Sequence, residues 1–172
     1  AMPTYAGRVQ RVKDGDTVVV AFEGGAVETV RLWGIDAPET SQPYGPAATQ
    51  AARQLAGGAP VAVDVEKRGP YGRLIGRVET SSCDVGRSLV HSGYAWSDRK
   101  NGASGRLKAL ERRARQEGKG LWAQSEPVPP WRWRDRSGQR KRRALAKGLL
   151  WIVGTAVATV LLLALLVALA AA

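Results

Sequence analysis

An uncharged run of 24 residues, from 149 to 172, constrains the folding of this chain more than any other feature. As a helix rising about 1.5 Å per residue it would extend roughly 36 Å, more than the ~30 Å hydrocarbon core of a bilayer. The run is apolar on all sides, and the rest of the chain is too small to bury it in a core. The sequence therefore predicts one transmembrane helix over 149–172.

Basic residues precede this run closely, and none follows it: Arg140, Lys141, Arg142, Arg143 and Lys147. The positive-inside bias predicts a single-pass C-terminal anchor with the folded part on the cytoplasmic side. Attraction to anionic lipid is the second interpretation of these charges. No charged and then apolar leader is visible at the start of the chain, but a missing leader would place the folded part outside.

Composition divides the chain into three predicted segments. Residues 1–125 form the folded domain, 126–148 a linker rich in Pro, Trp and Arg, and 149–172 the membrane helix. The formal net charge is +11, of which the residues after 125 carry +6. A basic domain suits a polyanionic partner such as nucleic acid, but a charge of +5 is explained equally well by solubility.

The scarcity of cysteine and histidine excludes two kinds of site. Cys83 is the only cysteine and His91 the only histidine in the sequence. No intramolecular disulfide and no Cys/His zinc cluster can form. A metal would be held mainly by oxygen atoms, which points to calcium, magnesium or manganese.

Short alternating segments dominate the first half of the chain. Runs of β-branched and aromatic residues, separated by glycine-rich turns, predict strands within 7–32, at 61–66 and at 74–78. Residues 34–45 are rich in Pro, Asp, Ser and Thr and are predicted to be a loop.

Three helices are predicted among and after these strands. Residues 46–55 have Pro46 in the first turn, residues 85–91 follow Asp84 as N-cap, and 105–117 form a last, charged helix. Five short strands with helices predict an α+β fold, a small closed barrel with helices packed on it.

Acidic and basic residues near the strand ends supply a possible catalytic set. Asp16, Asp36 and Glu39 could each be ordinary turn or loop residues, and Arg31 and Arg73 could each be plain surface charges. Phosphodiester hydrolysis, however, needs carboxylates that hold a hard cation, a carboxylate that orients or deprotonates water, and permanent cations at the phosphate. Arginine suits the last role because its planar fork matches two phosphate oxygens.

Three segments carry a resemblance to a known family. Residues 12–17 (VKDGDT), 30–40 (VRLWGIDAPET) and 71–73 (YGR) resemble, in order and spacing, the signatures of the staphylococcal nuclease (thermonuclease) family. Residues 93–95 and 107–122 are also similar, and the likeness covers roughly 6–134. It implies a five-stranded OB-fold barrel with about three helices.

The resemblance also implies an activity and the residues that perform it. The activity is calcium-dependent endonuclease cleavage of DNA and/or RNA to 3′-phosphate and 5′-hydroxyl ends, with one Ca²⁺ ion and no small-molecule cofactor. The implied residues are Asp16, Asp36 and the backbone carbonyl of Ala37 as metal ligands, Glu39 as general base, Arg31 and Arg73 as catalytic phosphate-binding residues, and Tyr71 as a further substrate contact.

Several departures from the family pattern bear on substrate binding. Ala37 stands where the founding member has threonine, and Pro70 replaces a lysine before Tyr71. Residues 97–104 are shortened and lack the tyrosines that stack on a nucleotide. Trp96 either replaces them, because aromatic stacking holds bases, or packs in the core; core packing is the favoured interpretation.

Two other functions remain open at the level of sequence. The first is a non-catalytic OB-type module, tethered to a membrane, that binds nucleic acid or protein. The second is a lipid-contacting anchor with an inert barrel. A binding module has no reason to retain all five residues of the catalytic set together, so the enzyme is the favoured interpretation. Oligomeric state stays undetermined.

Overall fold

The computed structural model describes residues 3–98, 102, 104–136 and 138. The described strands are β1 (Thr4–Asp14), β2 (Thr17–Phe22), β3 (Val27–Leu32), β4 (Ile35–Asp36), β5 (Pro60–Arg68), β6 (Leu74–Glu79) and β7 (Trp96–Ser97). The helices are α1 (Gly45–Ala56), α2 (Val85–His91) and α3 (Gly105–Gln116), with one-turn 3-10 helices at Pro70–Gly72 and Gly120–Ala123. Residues 130–136 are also helical.

Five strands close into a barrel in the order β1-β2-β3-β6-β5. The β3–β6 pair is parallel and the other pairs are antiparallel. Register shifts between Val9 and Arg11 and between Val12 and Asp14 interrupt the β1–β2 ladder. Such bulges bend a long strand, so that β1 can pair with both β2 and β5. The predicted five-stranded OB-type barrel is confirmed.

Alternating valines fill the barrel. Val18, Val20, Val30, Val63 and Val78 are all fully buried. Because successive side chains of a strand point to opposite faces, each strand gives one row to the core and leaves the other outside. This alternation is the pattern that made the strands predictable.

The helices lie close to their predicted positions. Helix α1 extends one residue beyond the prediction at each end and buries one row of alanines; α1 also contacts β1. The Asp84 side chain caps α2 as predicted, accepting a hydrogen bond from the Arg87 N–H at 2.9 Å. In α3 the Ser104 hydroxyl accepts from the Leu107 N–H, and the helix ends one residue earlier than predicted.

The prediction of a loop over 34–45 is wrong at two points, because Gly45 already belongs to α1 and a short strand interrupts the loop. Ile35 and Asp36 form β4, which pairs antiparallel with Trp96 and Ser97 of β7. A strand of two residues is too short to show alternation, and its partner lies about sixty residues away in the sequence. Trp96 is buried and packs edge-to-face on Trp122 with ring centroids 5.2 Å apart, which confirms the core-packing interpretation.

The described chain divides into two compact units, one ending at Pro130 and one beginning at Trp131. Across the described ranges, no helix has the length and apolar character needed to cross a bilayer. The predicted membrane helix at 149–172 and the basic cluster before it lie outside the described residues. The three-segment division of the chain stays a prediction.

Candidate active site

Local structure brings Asp16, Arg31 and Asp36 together. Asp16 lies in the turn between β1 and β2, and its carbonyl accepts the Leu32 N–H at 2.8 Å from the end of β3. Arg31 is the preceding residue of β3. A tight turn with Gly34 at φ +76° then returns the chain into β4, where Asp36 lies. Three predicted site residues therefore come from adjoining strand ends.

Arg31 bridges the two aspartates. Its Nη1 lies 2.7 Å from Asp16 Oδ1 and its Nη2 lies 2.9 Å from Asp36 Oδ1. Both aspartates are almost completely buried, with 4% and 3% of their surface exposed. Buried charges persist in folded proteins only when they are paired and hydrogen-bonded. This arrangement is therefore a built polar centre and not a chance surface ion pair.

Asp16 is held on both carboxylate oxygens. Oδ2 accepts the Ala37 backbone N–H at 2.9 Å, and Oδ1 also accepts the Thr17 hydroxyl at 2.9 Å. The Asp16 N–H donates to Asp14 Oδ1 at 3.0 Å, which stabilises the turn. The backbone of Ala37 therefore lies next to the Asp16 carboxylate. The carbonyl of Ala37 is the predicted third metal ligand.

Burial makes the negative charge of Asp16 unfavourable in this centre. Burial raises the pKa of Asp16 to about 7, and Arg31 opposes this shift without cancelling it. Nearby Asp14 and Asp36 push the same pKa upward. Two buried carboxylates share the guanidinium of Arg31, and a bound cation would stabilise the ionised form of Asp16.

The donor set of the centre fits a hard divalent cation. Asp16 and Asp36 offer carboxylate oxygens, and Ala37 offers a backbone carbonyl in the adjoining peptide. Within the described ranges, no group of three or more His, Cys, Asp or Glu side chains could hold a metal ion. A cation bound here would complete its shell with carbonyl and water oxygens, as calcium and magnesium commonly do.

A cleft of about 440 Å³ joins Arg31 to Arg73. Arg73 follows the 3-10 turn that precedes β6, and its Nε is buried without a hydrogen-bond partner in the described structure. A buried donor that lacks a partner is costly, so the position suits an anionic group that enters the cleft. Lys67 and Trp33 also line the cleft, with the lysine Nζ 5.3 Å from the indole ring centroid.

Glu39 and Tyr71 differ in how far they are buried. Glu39 is half-buried three residues after Asp36, in the segment between β4 and α1. Tyr71 is fully exposed, with φ at +63°, in the 3-10 turn before Arg73. The structure therefore brings Asp16, Arg31, Asp36, Ala37 and Arg73 to one region, and Tyr71 does not join them.

Sequence reasoning missed three residues that support the site. Buried Gln42 contacts the backbone of Glu39. Buried Glu111 accepts the Ser97 N–H at 3.0 Å and the Ser97 hydroxyl, so α3 supports β7. Lys67 lies in the cleft although the lysine expected before Tyr71 is absent. Only Glu111 gave a sequence signal, since it shares the inward face of α3 with Leu107 and Ala114.

A closed five-stranded barrel, with a buried acidic pair beside an arginine-lined cleft, defines a class of OB-fold protein suited to phosphate esters. The chain belongs to the family of staphylococcal nuclease homologues, whose family model matches residues 29–124. The predicted family is thus confirmed.

Individual relatives agree with this membership. An "Uncharacterized endonuclease" of Escherichia coli O157:H7 is 41% identical over 131 residues, which cover 76% of this chain and 85% of the relative. A "Micrococcal nuclease" of Shigella flexneri is 32% identical over 145 residues, covering 78% and 83%. "Protein ParB" of Escherichia coli is 37% identical over 155 residues, covering 82% and 87%. The protein is a hydrolase of the nuclease class, which disfavours the non-catalytic binding module.

Proposed function

We propose that the protein is a calcium-dependent endonuclease that hydrolyses phosphodiester bonds of DNA and/or RNA to 3′-phosphate and 5′-hydroxyl ends. One observation carries the proposal: two buried aspartates share the guanidinium of Arg31, which also lines the cleft that contains Arg73. In this proposal the cation site and the phosphate site adjoin through that single arginine.

Asp16, Asp36 and the Ala37 carbonyl would hold the cation, which when bound would neutralise charge on the phosphate oxygens. Arg31 and Arg73 bind the scissile phosphate from the cleft, and their charge cannot be lost by deprotonation. Their guanidinium groups stabilise the extra negative charge that develops at phosphorus in the transition state.

Glu39 supplies the base in this proposal. Its carboxylate accepts a proton from the attacking water while the water oxygen bonds to phosphorus. The bond from phosphorus to the 5′ oxygen breaks, so the phosphate stays on the 3′ side. Arg73 stabilises the departing 5′ oxygen, which takes a proton from solvent. The half-exposed position of Glu39 suits a group that must meet water.

Calcium is proposed over magnesium because the chain resembles a calcium-dependent family. The oxygen donors of the site suit either ion, so the choice between the two rests on that resemblance. Purified full-length protein in mild detergent should digest single-stranded DNA with calcium, and a chelator should stop digestion. Digestion in magnesium alone at the same rate would refute the calcium assignment.

Two substitutions test the residue roles. Glu39→Gln and Arg73→Ala should each lower kcat by about 10²–10⁴-fold, the range for a general base or a transition-state charge contact, with unchanged circular dichroism. The ends of the products should be 3′-phosphate and 5′-hydroxyl, read by end-labelling. Wild-type rates in both variants would overturn the proposed roles.

We also propose that residues 149–172 anchor the chain in a membrane, with the nuclease domain on the cytoplasmic side. The uncharged run supports the membrane anchor, and the basic residues that precede it support the cytoplasmic orientation. Low cytosolic calcium would then restrain the enzyme. Protease digestion of intact cells and of opened vesicles would test the topology. Cleavage of the nuclease domain in intact cells would show that the domain lies outside, contrary to the proposal.

A further inference from the structure

One buried amide connects the proposed base to a distant part of the chain. Gln42, only 3% exposed, lies in the segment between β4 and α1. Its Oε1 accepts the Glu39 backbone N–H at 3.2 Å, and its Nε2 donates to the Val128 carbonyl. Val128 is 86 residues away in the sequence. Both ends of this side chain therefore have defined partners.

The backbone repeats the connection between Gln42 and Glu39. The Gln42 N–H donates to the Glu39 carbonyl at 2.8 Å, and the Gln42 carbonyl accepts the Gly45 N–H at 2.9 Å. Gly45 has no room for a side chain, because a Cβ there would lie 2.0 Å from the Glu39 carbonyl oxygen. Glu39 is thus bound through both its N–H and its C=O, so its backbone position is tightly restricted.

The far partner belongs to a stiff part of the chain. Residues 127–130, here called the proline segment, read Pro-Val-Pro-Pro. They belong to the unit that contains the barrel and are half-buried to buried. Proline fixes its own φ, and Pro129 also holds Val128 in an extended conformation. The Val128 carbonyl is therefore presented to Gln42 by a backbone with little freedom.

We propose that Gln42 is a positioning residue for Glu39, and that the proline segment holds Gln42 in place. The chain that follows the last helix of the nuclease domain is then part of the active-site support and not a passive linker. This inference rests on the proposed role of Glu39 as the base.

Substitutions at Gln42 separate its two contacts in the full-length protein. Gln42→Met keeps the length and removes both hydrogen bonds. We expect a fall in kcat of about 10–100-fold with KM changed less than about threefold, because a misplaced base slows chemistry more than binding. Gln42→Glu keeps the acceptor for Glu39 but cannot donate to Val128 when ionised, and it should cause a smaller fall in kcat.

Amide hydrogen exchange supplies a readout that does not depend on activity. In Gln42→Met the Glu39 amide should exchange faster, whereas in Gln42→Glu, which keeps the acceptor for that N–H, it should stay protected. Thr49→Val is the matched control. It removes another buried hydrogen bond near the start of α1, from the Thr49 hydroxyl to the Gly45 carbonyl, and should leave kcat and Glu39 exchange unchanged.

Pro129→Ala tests the proline segment without altering the buried amide. We expect a several-fold fall in kcat and faster exchange at the Glu39 amide, because alanine releases the backbone restraint on the partner of Gln42. Pro129→Ala also tests the proposal if Gln42→Met does not fold. Wild-type kcat and exchange in Pro129→Ala would overturn the role of the proline segment, and wild-type values in a folded Gln42→Met would overturn the role of Gln42.

A double variant distinguishes this inference from the proposed function. If Gln42 acts through Glu39, adding Gln42→Met to Glu39→Gln should lower kcat no further. If the losses in kcat of the two single variants instead multiply in the double variant, Gln42 acts through another group and the inference is refuted. Full activity of Glu39→Gln alone would instead refute the proposed base, and Glu39 exchange would still report whether Gln42 holds that backbone.

Discussion

Two carboxylate clusters in this molecule have similar distances and opposite electrostatics. In the buried cluster, Asp16 and Asp36 share Arg31 at 2.7 and 2.9 Å. At the end of α3, Glu117 binds Arg113 at 2.7 Å and Lys119 at 2.5 Å. Burial raises the pKa of Asp16 to about 7, whereas hydrogen bonds from Arg113 and Lys119 lower the pKa of Glu117 to about 2.

Two properties explain the difference between the two pKa values: the ratio of carboxylates to cations in each cluster, and the exposure of each cluster to water. Carboxylates outnumber the guanidinium in the buried cluster, and cations outnumber the carboxylate on α3. Water screens the exposed cluster, and exposed ion pairs contribute little to stability. The buried cluster cannot rely on water, so the ionised form of Asp16 is unfavourable there, and a metal ion could stabilise it. Close ion pairs alone therefore do not mark a site; burial with more carboxylates than cations does.

The largest expected effect is the loss of activity when a buried carboxylate is neutralised. Asp36→Asn should lower kcat/KM by about 10³-fold or more, because it removes a charged ligand of the proposed cation and a partner of Arg31. Glu117→Gln should stay within about twofold of wild type. Digestion at saturating calcium, with calcium affinity from calorimetry, measures both. Equal losses in the two variants would contradict the comparison.

The second largest expected effect is on the pH dependence of stability, which should depend on Asp16 and not on Glu117. The folded-state pKa of Asp16 is raised above its unfolded value, so the folded protein binds more protons between about pH 4 and 7. The stability contributed by protonated Asp16 is therefore present at low pH and lost as pH rises through about 7. In chelator, Asp16→Asn should gain stability relative to wild type over this interval, with an upper bound on the order of 4 kcal/mol.

Urea unfolding at several pH values measures this difference. Glu117→Gln should show no such trend between pH 5 and 8, because Glu117 is ionised there in both the folded and unfolded states. Saturating calcium should restore wild-type stability at pH 7 by binding the ionised, folded form. A difference between Asp16→Asn and wild type that stays constant with pH would show that Asp16 is not perturbed.

The barrel could be predicted because its signal is local and repeated. Val18 and Val20 on β2, and Val61 and Val63 on β5, are buried on alternating positions, which a reader of the sequence can count. The β4–β7 pair could not be found this way. A strand of two residues is too short to show an alternating pattern. The partner of Asp36 in this pair is far away in the sequence and meets it only when the chain has folded.

The site was predictable only in part, for a similar reason. Asp16, Arg31 and Asp36 lie in short motifs, so their identity could be inferred from residues close in sequence. Their mutual contact, with one guanidinium between two carboxylates, depends on strand pairing. Gln42 had no local signal at all, because its significance comes from the distant Val128 carbonyl.

The smallest of the expected effects concerns the shape of a cation and not its charge. Arg31→Lys should lower kcat by about 10–100-fold, since one ammonium cannot span two aspartates or offer a planar fork to phosphate. Arg113→Lys on α3 should cut at the wild-type rate, because an exposed ammonium serves Glu117 equally well. Since both variants keep the net charge, wild-type rates in both would mean that charge alone matters, and equal losses in both would mean that the effect is not specific to the site. A loss confined to Arg31 would tie the site to guanidinium geometry.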